Sequence, residues 1–155
     1  MNYMDYPRAA RAEELFKEGF NCAQAVFLAF NDLYNVDFET AAKLSAPFGG
    51  GMGRMREVCG SVSGMVFLAG FISPVRDTSD LGARTANYSL VQRLAGEFRK
   101  ANGSIICREL LGLAKQETDN PQPSVRTPEY YKKRPCVELV GLAASIVAKE
   151  VAGTL

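Results

Sequence analysis

The chain has 155 residues, of which 47% are apolar, so it is long enough for one domain with a buried core and needs no disulfide or metal merely to fold. Its 18 basic and 17 acidic residues nearly balance, which disfavours nucleic acid as a partner because phosphate binding needs a surplus of Lys and Arg. The chain contains no histidine, which excludes Ser-His-Asp and Cys-His catalytic units within it, as well as zinc or haem sites with histidine ligands.

The sequence shows no pattern of a membrane span or of an export signal. Its longest apolar stretches, around residues 64–72 and 139–148, are far short of the roughly 20 residues that span a bilayer. Residues 1–6 have neither the basic flank nor the apolar segment of a signal peptide. We therefore expect no membrane partner and a cytoplasmic location, where thiols are usually kept reduced.

The first predicted elements are three helices. Residues 7–17 combine an early proline with good helix formers, and Gly19 ends this helix. Asn21 is a candidate N-cap for a second helix, whose apolar residues recur at helical spacing. A short third helix covers residues 38–46 and ends before Pro47.

The remaining segments are also predicted to be helical. Residues 59–72 are almost wholly apolar, which is typical of a central buried helix. A long amphipathic helix covers residues 79–100, a short helix follows at 105–111, and the last helix runs over 135–151. No stretch alternates as a strand would. These seven segments, two of them short, predict an all-α fold, a compact bundle of five or six helices in one domain over residues 1–155.

Residues 48–54 form the glycine-rich loop of the sequence. The loop lacks the Gly-Lys-Ser/Thr of a Walker A motif, and no strand precedes it, so it does not match a dinucleotide fingerprint either. A plain turn is the favoured interpretation. The loop nevertheless leads directly to Cys59, and Arg54 and Arg56 give it positive charge. It could therefore cover a negatively charged cluster, with Arg54 among the cofactor-binding residues.

Four cysteines carry the chemistry that the sequence suggests, and they are Cys22, Cys59, Cys107 and Cys136. No two form a C-x-x-C motif, so spacing alone is weak evidence for a metal. Each lies at or near a predicted helix start, where the helix dipole and free N–H groups favour a thiolate. Four converging thiolates would suit an iron–sulfur cluster or zinc. The alternatives are small buried hydrophobic residues, or disulfides, which a cytoplasmic location disfavours.

The segments around these cysteines are similar to those of a known family. Cys22 lies in Gly-Phe-Asn-Cys-Ala-Gln-Ala, Cys59 opens Cys-Gly-Ser-Val-Ser-Gly, and Cys107 lies in Ile-Cys-Arg-Glu-Leu-Leu-Gly. Together with Cys136, they resemble the C-GCAxxG-C-C family of redox-active bacterial proteins, over residues from about 9 to 151. Ser61 stands where the motif's alanine is expected, which is an exchange of one small residue for another.

The resemblance implies a redox role with a bound iron–sulfur centre. Its characteristic cysteines correspond here to Cys22, Cys59, Cys107 and Cys136, and its motif glycines to Gly60 and Gly64. These two glycines are four residues apart and share one helix face, so a backbone or a cluster could approach them closely. Ordinary helix packing explains the two glycines as well.

Other polar residues near the cysteines are weaker candidates. Glu57 and Glu109 each lie two residues from a cysteine and could be proton donors or ligands, but surface carboxylates are the favoured interpretation. The aromatic and basic run at residues 130–134 is interpreted as a solvated loop rather than a nucleic-acid site.

The leading hypothesis is a redox-active protein that binds an iron–sulfur cluster through the four cysteines and acts in electron transfer or redox sensing for a redox partner protein. A cluster shared across a homodimer is one variant of it. The second hypothesis is a thiol–disulfide oxidoreductase that uses one cysteine pair. The third is a binding module with structural zinc and no catalysis. Whether the protein is an enzyme stays open at this point.

Overall fold

The structure is a computed structural model, and it describes residues 7–114 and 120–154. Within these ranges the chain forms eight α-helices: α1 (Arg8–Lys17), α2 (Cys22–Leu28), α3 (Phe38–Ser45), α4 (Gly60–Ile72), α5 (Leu81–Asn102), α6 (Cys107–Leu110), α7 (Pro128–Lys133) and α8 (Cys136–Thr154). Two short 3₁₀ helices, Asn31–Leu33 and Ala46–Phe48, follow α2 and α3. The described residues contain no strand, so the all-α prediction is confirmed.

The number of helices exceeds the predicted five or six. Seven of the eight helices match the seven predicted segments. The helix without a predicted segment is α7, which begins at the proline after Thr127 and has Thr127 as its N-cap. The side chain of Thr127 accepts a hydrogen bond from the backbone N–H of Tyr130 at 3.2 Å. The prolines of this region suggested a continuous loop, but a proline in the first turn of a helix loses no hydrogen bond. The predicted loop at residues 118–128 lies partly outside the described residues.

Local signals in the sequence place several helix ends. Asn21 forms a capping box with Gln24, in which each side chain bonds the backbone N–H of the other residue at 3.0 Å, and this satisfies two N–H groups at the start of α2. Asp37 and Asp80 cap α3 and α5 without such a box, since one side-chain oxygen of each accepts a hydrogen bond from the backbone N–H of Thr40 and Ala83 respectively. Gly103 ends α5 in the left-handed region, with φ of 82°, as glycine permits.

The core forms around α4, which packs against α2, α5 and α8. Residues on α4 that face these neighbours, such as Val62, Met65 and Leu68, are almost completely buried. The last helix, α8, also lies along α1, and its Val140 and Val147 are fully buried. No helix among the described residues is long and apolar enough to cross a membrane.

An isolated antiparallel bridge joins the segments that precede α4 and α6. Val58 pairs with Ile106, and the two flanking cysteines extend the pairing. The backbone N–H of Cys59 donates to the carbonyl of Ile105 at 2.8 Å, and the N–H of Cys107 donates to the carbonyl of Glu57 at 2.6 Å. The start of α6 is therefore fixed beside the start of α4, although 48 positions of sequence separate the two cysteines.

Candidate functional site

All four cysteines lie at the start of a helix, as predicted. Cys22, Cys107 and Cys136 are the first residues of α2, α6 and α8, and Cys59 is the N-cap residue of α4. None of the four forms a disulfide. Three of them are buried and Cys22 is half-buried.

The four cysteines also line one cavity of about 400 Å³. The fold brings them together because the starts of α2, α4, α6 and α8 meet at the same end of the helix bundle. The glycine-rich loop forms one side of the cavity, and residues 121–126 form another. Pro121, Pro123 and Ser124 are exposed, so this wall connects the cavity with the protein surface.

Two of the cysteines affect each other's ionisation. The thiol of Cys22 donates a hydrogen bond to the sulfur of Cys136, which raises the pKa of Cys22 well above its ordinary value and lowers the pKa of Cys136 to about 7. Burial opposes the shift at Cys136, whereas Arg134 and a hydrogen bond from Tyr130 add to it. Cys136 is therefore the thiol of the site that ionises near neutral pH, and Cys22 remains protonated beside it.

The sequence-based expectation of four lowered thiol pKa values is wrong for three of the cysteines. Burial raises the pKa of Cys59 to about 11, and it also raises the pKa of Cys107. Backbone N–H groups at the start of α4 and the hydroxyl of Ser61 oppose the shift at Cys59, and Arg56 opposes it at Cys107. Desolvation of a charged sulfur in a closed site outweighs the partial charge of a helix end.

The glycine-rich loop is a left-handed turn rather than a plain one. Gly50, Gly51 and Gly53 have φ between 56° and 70°, and Met52, Arg54 and Arg56 have φ between 60° and 65°. A side chain in this region costs of order 1–3 kcal/mol per residue, and such strain is found preferentially at functional sites. The turn folds back on itself through backbone bonds, including Arg56 N–H to Gly50 O at 3.1 Å and Glu57 N–H to Gly51 O at 2.9 Å.

Glycines allow the chain to approach two of the cysteines closely. A Cβ atom at Gly51 would lie 2.6 Å from the Cβ of Cys107, and one at Gly60 would lie 3.0 Å from the Cβ of Cys22. Both glycines line the cavity. Gly64, one turn further along α4, is placed differently, because its close neighbours are Val26 and the carbonyl of Ala23 on α2. Its role is in the packing of α4 against α2.

Four arginines line the cavity: Arg54, Arg56, Arg126 and Arg134. The Nη1 atom of Arg56 lies 3.6 Å from the sulfur of Cys107, and the Arg56 side chain is buried although it is charged. Arg54 donates to the backbone carbonyl of Gln122, which ties the glycine-rich loop to the opposite wall. No Asp or Glu side chain of the described residues lines this cavity.

Sequence reasoning missed the part of the site that comes from residues 120–134. The run at 130–134 was expected to be a solvated loop, but Tyr130 and Arg134 line the cavity beside Cys136. Arg126 is held over the ring of Phe16, 4.0 Å from its centroid, and donates to the carbonyl of Phe20 at 2.8 Å. The position of this run directly before Cys136 is the sequence signal that could have identified it.

The two carboxylates near the cysteines do not belong to the site. Glu57 and Glu109 are both exposed, as expected, and neither lines the cavity. The carboxylate of Glu109 accepts a hydrogen bond from the hydroxyl of Ser104 at 2.6 Å, which stabilises the turn before α6.

The donor set of the cavity bears on which metal group it could hold. Among the described residues, no group of three or more Cys, Asp or Glu side chains is close enough to bind one metal ion. A single zinc ion needs four ligands near 2.3 Å and so fits this arrangement poorly. An iron–sulfur cluster places its ligands around a larger body and takes four thiolates. The four thiols around the cavity are the donor set that such a cluster takes. Cys22 and Cys136, which are hydrogen-bonded to each other here, would have to move apart to hold it.

The environment of Ser61 also bears on whether an iron–sulfur cluster fits the cavity. Its hydroxyl is fully buried two residues after Cys59 and forms no well-aligned hydrogen bond among the described residues. The acceptor that it does address is the sulfur of Cys59, whose pKa the interaction lowers. A buried hydroxyl without a well-aligned hydrogen bond is costly, and native structures rarely leave one unexplained. A sulfur-rich group held at Cys59 would offer this hydroxyl a further acceptor.

Comparison with known proteins gives one result. A family model described as "Putative redox-active protein (C_GCAxxG_C_C)" matches residues 20–150, a range that contains all four cysteines. No curated protein matches the chain, and no solved structure matches it.

Proposed function

The chain belongs to the C_GCAxxG_C_C family of redox-active proteins, and from this premise we propose that its redox centre is an iron–sulfur cluster held by Cys22, Cys59, Cys107 and Cys136. The observation that carries the proposal is that four cysteines from four different helix starts line one cavity. Cysteines that serve only as buried core residues are not expected to line one cavity, and a dithiol reaction needs only two cysteines. A cluster accounts for all four.

Different residues around the cavity would stabilise the thiolates and leave room for the cluster. The backbone N–H groups at the helix starts and the Arg56 guanidinium stabilise the thiolate form of sulfurs that burial otherwise keeps protonated. Gly51 and Gly60 leave room beside Cys107 and Cys22. When bound, the cluster supplies one-electron transfer, and burial and hydrogen bonds to its sulfurs set its potential.

The proposed centre lies within one chain and faces a partner protein. Because all four cysteines of one chain line the same cavity, the cluster needs no ligand from a second copy. The function that we propose is electron transfer or redox sensing in the cytoplasm, with a partner protein as donor or acceptor. The wall formed by residues 121–126 is the side from which a partner reaches the centre.

Anaerobic purification followed by iron and sulfide analysis tests the proposal. We expect visible absorption, iron and acid-labile sulfide in the wild-type protein, and loss of all three when Cys59 or Cys107 is replaced by Ser. Ser145→Ala, at a hydroxyl that bonds the carbonyl of Gly141 on α8 at 3.0 Å, is the control and should keep them. A colourless protein without iron after anaerobic reconstitution would contradict the proposal.

A second candidate function is thiol–disulfide exchange by Cys22 and Cys136. The direct hydrogen bond between their thiols favours it, since a thiolate next to a protonated thiol is the arrangement of an attacking and a resolving cysteine. Thiol titration with and without reductant separates the two candidates. Reversible loss of two thiols, mapped to a Cys22–Cys136 disulfide in iron-free active protein, would favour the second.

A further inference from the structure

The cavity that contains the four cysteines carries an excess of positive charge. Four arginines and no carboxylate of the described residues line it, although the whole chain has a formal net charge of only +1. Arg56, Arg126 and Arg134 form no ion pair with any described carboxylate. The positive charge at the cavity is therefore a local feature and not a consequence of composition.

Two of these arginines are held by uncharged groups of the protein. Arg126 donates to the backbone carbonyls of Phe16 and Phe20, and Arg134 lies beside the ring of Tyr130. None of these contacts brings a negative charge to the guanidinium groups. A carboxylate or phosphate group in the cavity would supply the counter-charge that Arg126 and Arg134 lack among the described residues.

The remaining walls of the cavity define the rest of the ligand. Apolar side chains from four elements lie between the arginines, namely Phe16, Leu110, Leu111 and Leu139. A volume of about 400 Å³ falls in the range of pockets that bind metabolite-sized molecules. A cavity with apolar walls and several guanidinium groups matches a molecule with a carbon skeleton and more than one oxyanion group, because guanidinium binds carboxylate and phosphate in a bidentate manner.

We propose that this cavity binds a small organic anion with carboxylate or phosphate groups, next to the four cysteines, through Arg126 and Arg134. The inference goes beyond the proposed redox function and does not depend on a cluster. Arg126 is already oriented by Phe16 and by the carbonyl of Phe20. The guanidinium of Arg134 lies 5.5 Å from the centroid of the Tyr130 ring, and its N–H groups can donate hydrogen bonds to the ligand.

The test uses three probes with one ring in common. Phthalate presents two carboxylates, phenyl phosphate presents a phosphate, and benzamide is neutral. Each is titrated calorimetrically into the full chain in reductant at low salt, with iron and sulfide measured in parallel, so that anion binding and cluster content are separate readouts. We expect one site for phthalate or phenyl phosphate, with affinity that falls as salt rises. The better of the two anions identifies the preferred oxyanion group.

Two variants locate the site. Arg134→Gln should weaken binding by about tenfold or more, as expected for the loss of a charge-assisted hydrogen bond. Arg99→Gln, at an exposed position near the end of α5, should bind as the wild type does. Circular dichroism and thermal unfolding establish that both variants fold. Absence of binding by either anion, equal binding of benzamide, or equal weakening in both variants would overturn the proposal.

A second measurement needs no variant. Iodoacetate is an anion and iodoacetamide is neutral, and both alkylate a thiolate. The ratio of their rates at Cys136 therefore cancels the fraction of thiolate and reports on attraction of the anion. In iron-free protein this ratio should exceed the ratio for free cysteine at least about threefold at low salt, and should fall toward it as salt screens the arginines. A ratio equal to that of free cysteine would contradict the anion site.

Discussion

Gly51 and Cys107 are in such close contact that a Cβ atom on the glycine would lie 2.6 Å from the Cβ of the cysteine. The same Cβ would lie 2.7 Å from the backbone nitrogen of Glu57, so no side-chain rotation could relieve the clash. Gly51 also has φ of 70°, a conformation that side chains rarely adopt. The glycine-rich loop can therefore pack against the start of α6 only because residue 51 has no side chain.

Replacing Gly51 with alanine should therefore displace Cys107 and disturb the site. We expect a loss of about 2–4 kcal/mol in the free energy of unfolding, from overpacking and backbone strain together. Iron content after anaerobic reconstitution should fall as well. Chemical denaturation and iron analysis measure the two effects.

Gly112→Ala is the matched control for this substitution. Gly112 has φ of 65° but no atom within 4 Å of an added Cβ, so the variant has the strain without the clash. It should lose about 1 kcal/mol and keep its iron. If the two variants behaved alike, contact with Cys107 would not be the reason for a glycine at position 51.

The pKa of Cys136 predicts how its reactivity depends on pH. In iron-free protein, alkylation by iodoacetamide should rise through a midpoint near pH 7 at Cys136, whereas Cys59, with a pKa of about 11, should stay unreactive there. The reason is that the thiolate reacts and the thiol does not. Peptide mapping by mass spectrometry follows each cysteine separately across the pH range.

Removing the hydrogen-bond donor tests the cause of that shift. Cys22→Ala should move the midpoint of Cys136 to higher pH, because the hydrogen bond from Cys22 is the largest contribution that lowers its pKa. Cys59→Ala should leave the midpoint in place. An unchanged midpoint in Cys22→Ala would show that Arg134 and Tyr130 alone stabilise the thiolate.

Local sequence signals were sufficient for most of the fold and for the positions of the cysteines. The cap at Asn21, the break at Gly103 and the apolar segment of α4 each depend on residues close together in sequence, and the structure has all three. The same signals predicted that every cysteine lies at or near a helix start. These features follow from backbone hydrogen bonding within a few residues, which periodicity and cap residues report directly.

The environment of the cysteines could not be predicted in this way. The raised pKa of Cys59 depends on how completely other helices cover it, and the lowered pKa of Cys136 depends on Cys22, which is more than a hundred residues away. The contribution of Arg126 also depends on tertiary packing, since it is oriented by Phe16 of α1. Contacts between distant segments have no signature in a single sequence.

A buried arginine far from the cavity gives a prediction about stability and pH. Arg8 is almost fully buried and pairs with Asp32, with 3.1 Å between Nη2 and Oδ2. Asp32→Asn should cost about 1–2 kcal/mol at pH 7, because the guanidinium keeps its burial and loses the negative charge of this carboxylate. Glu39→Gln, in an exposed pair with Lys43, should cost at most about 0.5 kcal/mol.

The sign of the pH dependence follows from the pKa of Asp32, which the hydrogen bond from Arg8 lowers. A carboxylate with a lowered folded-state pKa stabilises the protein above its unfolded value, near 3.9, and this stabilisation is lost as the pH falls below it. The difference in melting temperature between wild type and Asp32→Asn should therefore shrink below about pH 4. A difference that is constant from pH 7 to pH 3 would exclude the ion pair as its cause.

Replacing Ser61 should have different effects in the iron-free protein and in the protein with a cluster. The hydroxyl is buried, and its interaction with the sulfur of Cys59 is not a well-aligned hydrogen bond, so in iron-free protein Ser61→Ala should change stability by at most about 1 kcal/mol. In cluster-containing protein the same substitution should lower the reduction potential, because hydrogen bonds to cluster sulfurs raise it.

Ser63→Ala is the control, at a half-buried serine two positions further along α4, and it should change neither the stability nor the potential. Thermal unfolding of the iron-free variants and potentiometric titration of the reconstituted ones measure the two effects. Destabilisation of iron-free Ser61→Ala by more than about 1 kcal/mol would mean that the hydroxyl forms a stronger hydrogen bond within the protein than its interaction with Cys59, and an unchanged potential would mean that it does not face the cluster.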